Sequence, residues 1–161
     1  MPISRPVKSK LSLLDKRILG CLQEDIAFVA RPWKVASAKL NIKEDYLLKR
    51  IAFLKKQGII RRISAIFSPG KINFISTLVA AKIAPQCIEK VAKRINLYPE
   101  VTHNYRRDAE YNLWFTLIAR DVQRINQIIS RIKQDKNIKK ISQFPATRIF
   151  KINVKFPLKG L

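Results

Sequence analysis

Apolar residues first recur at helical spacing. Behind Ser12, a good N-cap, Leu14, Ile18 and Leu22 stand at i, i+4 and i+8, with Asp15 in the first turn where the helix dipole favours an acid. The spacing predicts a first helix over LLDKRILGCLQE. Pro32 then breaks the chain, and Trp33 to Leu40 reads as a short second helix ended by Asn41. Lys43 to Gln57 predicts a third, with Leu47, Ile51 and Leu54 on one stripe and Gly58 as its stop. Ile59 to Phe67 (IIRRISAIF) follows as an extended segment. Helices in this order, followed by a strand, are the layout of a winged helix-turn-helix over residues 11–67. The polar, proline-punctuated residues 1–10 before it are expected to form a flexible arm.

Ser68, Pro69 and Gly70 mark an edge, so residues 68–74 are expected to be a linker. The rhythm beyond it is different. Thr77 to Ala84 predicts a small-residue apolar strand, Gln86 to Leu97 a helix ended by Pro99, and Val101 to Arg107 with Asn112 to Ala119 a hairpin. Asp121 caps a helix carrying Ile125, Ile128, Ile129 and Ile132 on one side. Ile138 to Ile141 reads as a short strand, and Arg148 to Phe156 alternates Phe150, Ile152, Val154 and Phe156 against Lys151, Asn153 and Lys155. Residues 75–161 therefore form a ferredoxin-like βαββαβ domain, and the whole chain is α+β. Helices cover one sheet face in that arrangement, so the other needs a cover, commonly a partner chain.

Composition adds one strong signal: 33 Lys and Arg against 11 Asp and Glu give a net charge of +22. Such a surface attracts polyanions, whether nucleic acid, anionic lipid or a small poly-acid. Cys21 and Cys87 lack CxxC spacing and suit buried thiols in a reducing compartment. No apolar run approaches a membrane span and no signal-peptide core follows the N-terminal cations, so a cytoplasmic location without membrane attachment is expected. With few glycines and no phosphate loop, a nucleotide fingerprint is absent.

Candidate chemistry gathers in VTHNYRRDAEYNLWFT, Val101 to Thr116. It holds the single histidine, His103, beside Asn104, Tyr105, Arg106, Arg107, Asp108, Tyr111, Asn112 and Trp114. On a strand, His103, Tyr105 and Arg107 share one face, with Thr102, Asn104 and Arg106 on the other. A dense polar set on a sheet costs stability unless it is satisfied or used.

Three stretches carry a resemblance over nearly the full length. GIIRRISAIF (Gly58 to Phe67), the HNYxR and NLWF combination within Val101 to Thr116, and RIFKINVKF (Arg148 to Phe156) resemble the siroheme decarboxylases, a branch of the Lrp/AsnC-like superfamily. The resemblance implies removal of two acetate carboxylates from siroheme to give didecarboxysiroheme, on the way to haem or haem d1. It also implies pairing with a homologous second subunit, or with a second copy of the chain. The iron belongs to the substrate, and no further cofactor is implied.

Siroheme is an iron tetrapyrrole with eight carboxylates, so its pocket needs cations and an apolar floor. Arg61, Arg62, Arg106, Arg107, Arg148 and Lys151 are the candidate cations, Asn104 and Asn112 further polar contacts, and Tyr105, Trp114, Phe115 and Phe150 the floor. Loss of carbon dioxide leaves a carbanion-like centre that the ring delocalises and that must gain a proton. An imidazole is the natural donor, which points to His103, with Tyr105 a secondary candidate. His103 can instead be an axial ligand of the iron; the roles exclude each other on one nitrogen. The chain departs from its relatives at Ala109, where a second histidine is common.

Two other classes compete. A DNA-binding regulator suits the charge, but Glu44 and Asp45 open the third helix where a groove reader faces phosphates, so at most weak DNA binding is expected. A non-catalytic tetrapyrrole sensor on the same scaffold is the other.

Overall fold

Reciprocal capping starts the first helix. In the computed structural model, which describes residues 11–24, 26–151 and 155–158, α1 spans Leu13–Gln23. The Ser12 hydroxyl accepts from the Asp15 backbone while the Asp15 carboxylate accepts from the Ser12 backbone. α2 (Pro32–Leu40) takes Pro32 as its first residue, where a missing N–H costs nothing, and ends on Asn41 in the left-handed conformation. α3 (Glu44–Lys56) runs to Gly58, whose φ of 72° closes it. The apolar stripes of the three helices meet in one core around Ile18, Leu40, Leu47, Ile51, Leu54 and Ile60.

Beneath that core lies a charged link. Asp15 is only 1% exposed, and Arg50 of α3 grips it with two guanidinium hydrogen bonds of 2.6 and 2.8 Å. The bond from Arg50 holds the Asp15 carboxyl down at about 2, from an ordinary value of 3.8.

The chain divides into two compact units, Met1–Ala65 with Ile152–Leu161 and Ile66–Lys151. In the second, a 3-10 turn at Pro69–Ile72 occupies most of the expected linker. It is followed by β1 (Ile75–Ile83), α4 (Ile88–Ile95), β2 (Val101–Arg106), β3 (Leu113–Ala119), α5 (Val122–Lys133) and β4 (Ile138–Pro145). The strands form one antiparallel sheet in the order β2-β3-β1-β4, the ferredoxin-like arrangement. Val79, Ala81, Ile83, Leu113, Phe115, Leu117 and Ala119 point to one face and pack under Val91 and Ile95 of α4 and Ile125, Ile128 and Ile132 of α5. Among the described residues, no helix is long and apolar enough to cross a membrane.

Three expectations are corrected. The closing strand is Ile138–Pro145, not Arg148 to Phe156. Once β4 pairs with β1, that strand has neighbours on both edges, and no ladder position remains beside it. Residues 148–151 and 155–156 are irregular, residues 152–154 lie outside the described residues, and the Phe156 N–H donates to Gln23 Oε1 at 2.6 Å, within the first unit. The C-terminal boundary thus falls at Lys151 rather than residue 161. Ile59 to Phe67 joins no ladder, so the described part of the first unit is a helix-turn-helix without a wing strand. The arm at 1–10 lies outside the described residues.

A depressed carboxyl value stabilises the fold above the unfolded value and is lost as pH falls through the folded one. The first unit should therefore lose stability between about pH 4 and 2 as Asp15 protonates. Asp15→Asn should cost the first unit about 1 to 2 kcal/mol near neutral pH, discounted for the water-facing side of Arg50. Denaturant unfolding of the two proteins at pH 7 and pH 3 checks it; equal stabilities at pH 7 would refute it.

Candidate functional site

A register shift places the histidine. β2 pairs with β3 as Val101 with Leu117, then as His103 with Thr116, so one extra residue is accommodated at Thr102. Val101 can then face the helices, packed against the core, while His103 faces away from them. Beyond the shift the alternation holds. His103 and Tyr105 lie on the open face opposite Thr116 and Trp114, whereas Asn104 and Arg106 stand opposite the buried Phe115 and Leu113.

Pairing across the sheet completes that face. His103, Thr116, Leu78 and Phe144 form one row, and Tyr105, Trp114, Ala80 and Ser142 the next; Lys82 stands opposite Lys140 beyond them. Trp114 and Phe144 stack across β1 at 5.7 Å between centroids and 21° between planes. Ala80 lies between their strands and is 0% exposed although it faces no helix. Tyr111 meets Trp114 edge-on at 6.4 Å and accepts the indole N–H on its carbonyl at 2.7 Å. The result is an aromatic plate on the side of the sheet that α4 and α5 leave open.

Polar groups rim the plate. On the β2 side, His103 stacks on Tyr105 at 6.1 Å, and its Nδ1 lies 3.1 Å from the Thr102 hydroxyl, leaving Nε2 to the solvent. The Arg107 guanidinium sits 5.0 Å over the Tyr105 ring. On the β4 side, the Tyr111 and Ser142 hydroxyls are 2.9 Å apart, and Lys140 Nζ lies 5.4 Å from the centre of the Tyr111 ring. The hydrogen bond with Ser142, then the Lys140 ammonium, hold the Tyr111 phenol below its ordinary value.

Of the residues singled out in the sequence, His103, Tyr105, Arg107 and Trp114 come together here. Others do not. Asn104 donates to Asn96 Oδ1 at 2.8 Å and to the Ala92 carbonyl of α4, so it ties strand to helix. Asn112 accepts from the Ile83 N–H at 2.9 Å and donates to the Ile83 carbonyl at 2.8 Å. That side chain replaces the backbone partner which β1 lacks where its ladder ends. Arg106 is exposed on the helix side. Phe115 is fully buried core rather than ring floor. Arg148 covers Phe150 at 4.9 Å in an irregular segment, and Lys151 is exposed there. Arg61 and Arg62 are exposed in the first unit. Phe144, Ser142, Lys140 and Lys82 went unseen, although KKISQF alternates in the period of a strand. Among the described residues, no cluster of three or more His, Cys, Asp or Glu side chains could hold a metal.

Comparisons with known proteins bear on this geometry. Residues 15–61 match the family described as siroheme decarboxylase NirDL-like HTH domain, and residues 72–151 the AsnC-like ligand binding domain. The chain is 36% identical to the siroheme decarboxylase alpha subunit of Desulfovibrio desulfuricans, over 89% of its own length and 82% of that protein's. A crystal structure of the siroheme decarboxylase NirDL in complex with an iron-uroporphyrin III analogue is similar at 32% identity and a TM-score of 0.64, across 81% of this chain and 43% of that one. A transcriptional regulator from Neisseria meningitidis, bound to L-Met, shares the fold at a TM-score of 0.79 with 20% identity.

Removing the Asn112 clamp would orphan both backbone groups of Ile83, which is buried. Asn112→Ala should lower the unfolding free energy of the second unit by about 2 kcal/mol. Denaturant titration followed by Trp114 fluorescence reads it; an unchanged midpoint would show the clamp to be idle.

Proposed function

The chain belongs to the siroheme decarboxylase family, and from that premise we propose that it is a subunit which removes the two acetate carboxylates of siroheme, giving didecarboxysiroheme. The observation that carries the reading is the open sheet face, where an aromatic plate is flanked by an imidazole and by cations. A flat conjugated ring lies over Trp114 and Phe144, and its peripheral carboxylates meet ammonium and guanidinium groups.

In each half-reaction the bond between methylene and carboxylate carbons breaks, carbon dioxide leaves, and the electron pair stays on the methylene carbon, delocalised into the macrocycle. A proton must then reach that carbon to make a methyl group. His103 donates it from Nε2, because Nδ1 is turned to Thr102. Each acetate consumes one proton and releases one carbon dioxide, so the imidazole is reprotonated from solvent between turns. The iron arrives with the substrate, and the chemistry needs no other cofactor. Axial ligation of that iron by Nε2 would exclude proton donation from the same atom; a Soret band unmoved by His103→Ala favours the acid.

A homologous second subunit, or a second copy, covers the far side of the ring. This accords with the subunit naming of the D. desulfuricans relative and with the apolar residues left at the surface, Leu78 and Phe144. A DNA-reading role finds less support. α3 begins with Glu44 and Asp45, Glu44 is paired to Arg31 at 2.6 Å, and Tyr46 and Phe53 are exposed along the same helix.

His103→Ala should slow decarboxylation by about a hundredfold or more with an unaltered circular dichroism spectrum, since the ring is exposed. Turnover at the parent rate, measured as carbon dioxide released from siroheme with the homologous subunit present, would remove His103 from the mechanism. Arg107→Ala should weaken siroheme binding by about tenfold, roughly 1.4 kcal/mol, and Arg106→Ala by less than about twofold, because the register turns Arg106 to the helix side. Equal losses in a spectroscopic titration would contradict that assignment.

A further inference from the structure

Resting on the tetrapyrrole reading above, we infer that the corner formed by Lys140, Tyr111 and Ser142 at the β4 edge of the open face is a carboxylate-receiving subsite, which lets the protein select poly-acid macrocycles over those with few acids.

Five features support it. The three groups are brought together from separate elements: Lys140 and Ser142 lie two positions apart on β4 and so share the open face, while Tyr111 reaches them from the turn before β3. One of the two hydroxyls keeps its hydrogen for an anion, since the bond between Tyr111 and Ser142 uses only the other, and Lys140 adds further donors and a full positive charge. Among the described residues Lys140 forms no ion pair of its own. The carboxylate of Glu110, which would repel an acid guest, is engaged by Lys82 at 3.0 Å. The low-lying phenol of Tyr111 is a stronger donor than an ordinary tyrosine, as its contacts with Ser142 and Lys140 dictate.

Position gives the corner its meaning. In the order β2-β3-β1-β4 it lies at the edge opposite His103. Three strand spacings separate those edges, roughly 14 Å at about 4.8 Å each, and Ser142 and Lys140 stand one and two rows beyond the row of His103, so the diagonals from His103 are roughly 16 and 20 Å. A guest engaging both edges must therefore be a plate about as wide as a substituted tetrapyrrole with an acid at its rim. A carboxylate held at Lys140, Tyr111 and Ser142 fixes how the ring is turned, and so which acetate is offered to His103.

The test compares two probes, iron-uroporphyrin III with eight carboxylates and haem with two, titrated by their Soret bands into the chain with its homologous subunit. The parent protein should bind the octa-acid at least tenfold more tightly than haem. Lys140→Met and Tyr111→Phe should each reduce that preference severalfold, chiefly by weakening the octa-acid. Lys140→Gln serves as a second variant at the same exposed position. A preference unchanged in the Lys140 and Tyr111 variants would overturn the subsite while leaving the tetrapyrrole reading standing. A parent protein that binds neither probe would overturn that reading itself.

Discussion

Between Val101 and His103 the pairing of β2 with β3 slips by one residue, and the placement of the whole site follows from that slip. In an unbroken strand, residues two apart share a face, so Val101 and His103 would point the same way. Val101 is needed against the core with Leu117, which would turn the imidazole toward the helices as well. The extra residue at Thr102 resolves the conflict, and the alternation that follows carries Tyr105 outward with His103 and Asn104 inward. A bulge at the edge of a sheet re-aims a side chain at the cost of one ladder bond. Here the re-aimed side chain is the one histidine in the chain.

The open face exists because both crossover helices pack on the same side. α4 and α5 bury one set of alternate residues, and the remaining set would be expected to be polar in a sheet that simply met water. Instead it contains Trp114, Phe144, Leu78 and Tyr105 in adjoining rows. Ala80 is the permissive position: a larger side chain there would stand between the indole and the phenyl ring and separate them. Stacked rings gain from contact with each other and still present an apolar plane outward, which suits a flat guest better than a branched one.

Much of this was legible in the sequence. Helical periodicity and caps marked the five α-helices of the described residues within a few residues, since Ser12, Asn41, Gly58 and Asp121 act through local geometry that the sequence states directly. The central hairpin was legible too, together with the face shared by His103 and Tyr105. Strand partnership was not. Arg148 to Phe156 alternates as cleanly as a strand should, yet a period of two does not say which segment reaches the free edge of β1 first. Ile138–Pro145 does so, leaving α5 after a short turn, and with it come Lys140, Ser142 and Phe144. Asn104 and Asn112 misled for a different reason. An amide that satisfies buried backbone and one that grips a ligand look alike until the neighbouring carbonyls are known.

The excess of positive charge is informative through its distribution. Among the described residues five ion pairs form, joining Arg31, Arg50, Lys82, Arg94 and Arg124 to Glu44, Asp15, Glu110, Asp135 and Glu100. Four of those cations serve the architecture: Arg50 and Arg31 join helices of the first unit, while Arg94 and Arg124 tie α4 and α5 to the segments beside them. The fifth, Lys82, neutralises the acid nearest the β4 corner. Arg107 and Lys140 instead rest over tyrosine rings, at 5.0 and 5.4 Å. A ring face orders a cation without neutralising it, because a quadrupole attracts the charge and leaves its field directed outward. Two oriented cations outside those five ion pairs, at opposite edges of an apolar plate, make the surface complementary to a disc that is greasy in the middle and acidic at the rim, which a net charge spread evenly over the molecule could not do.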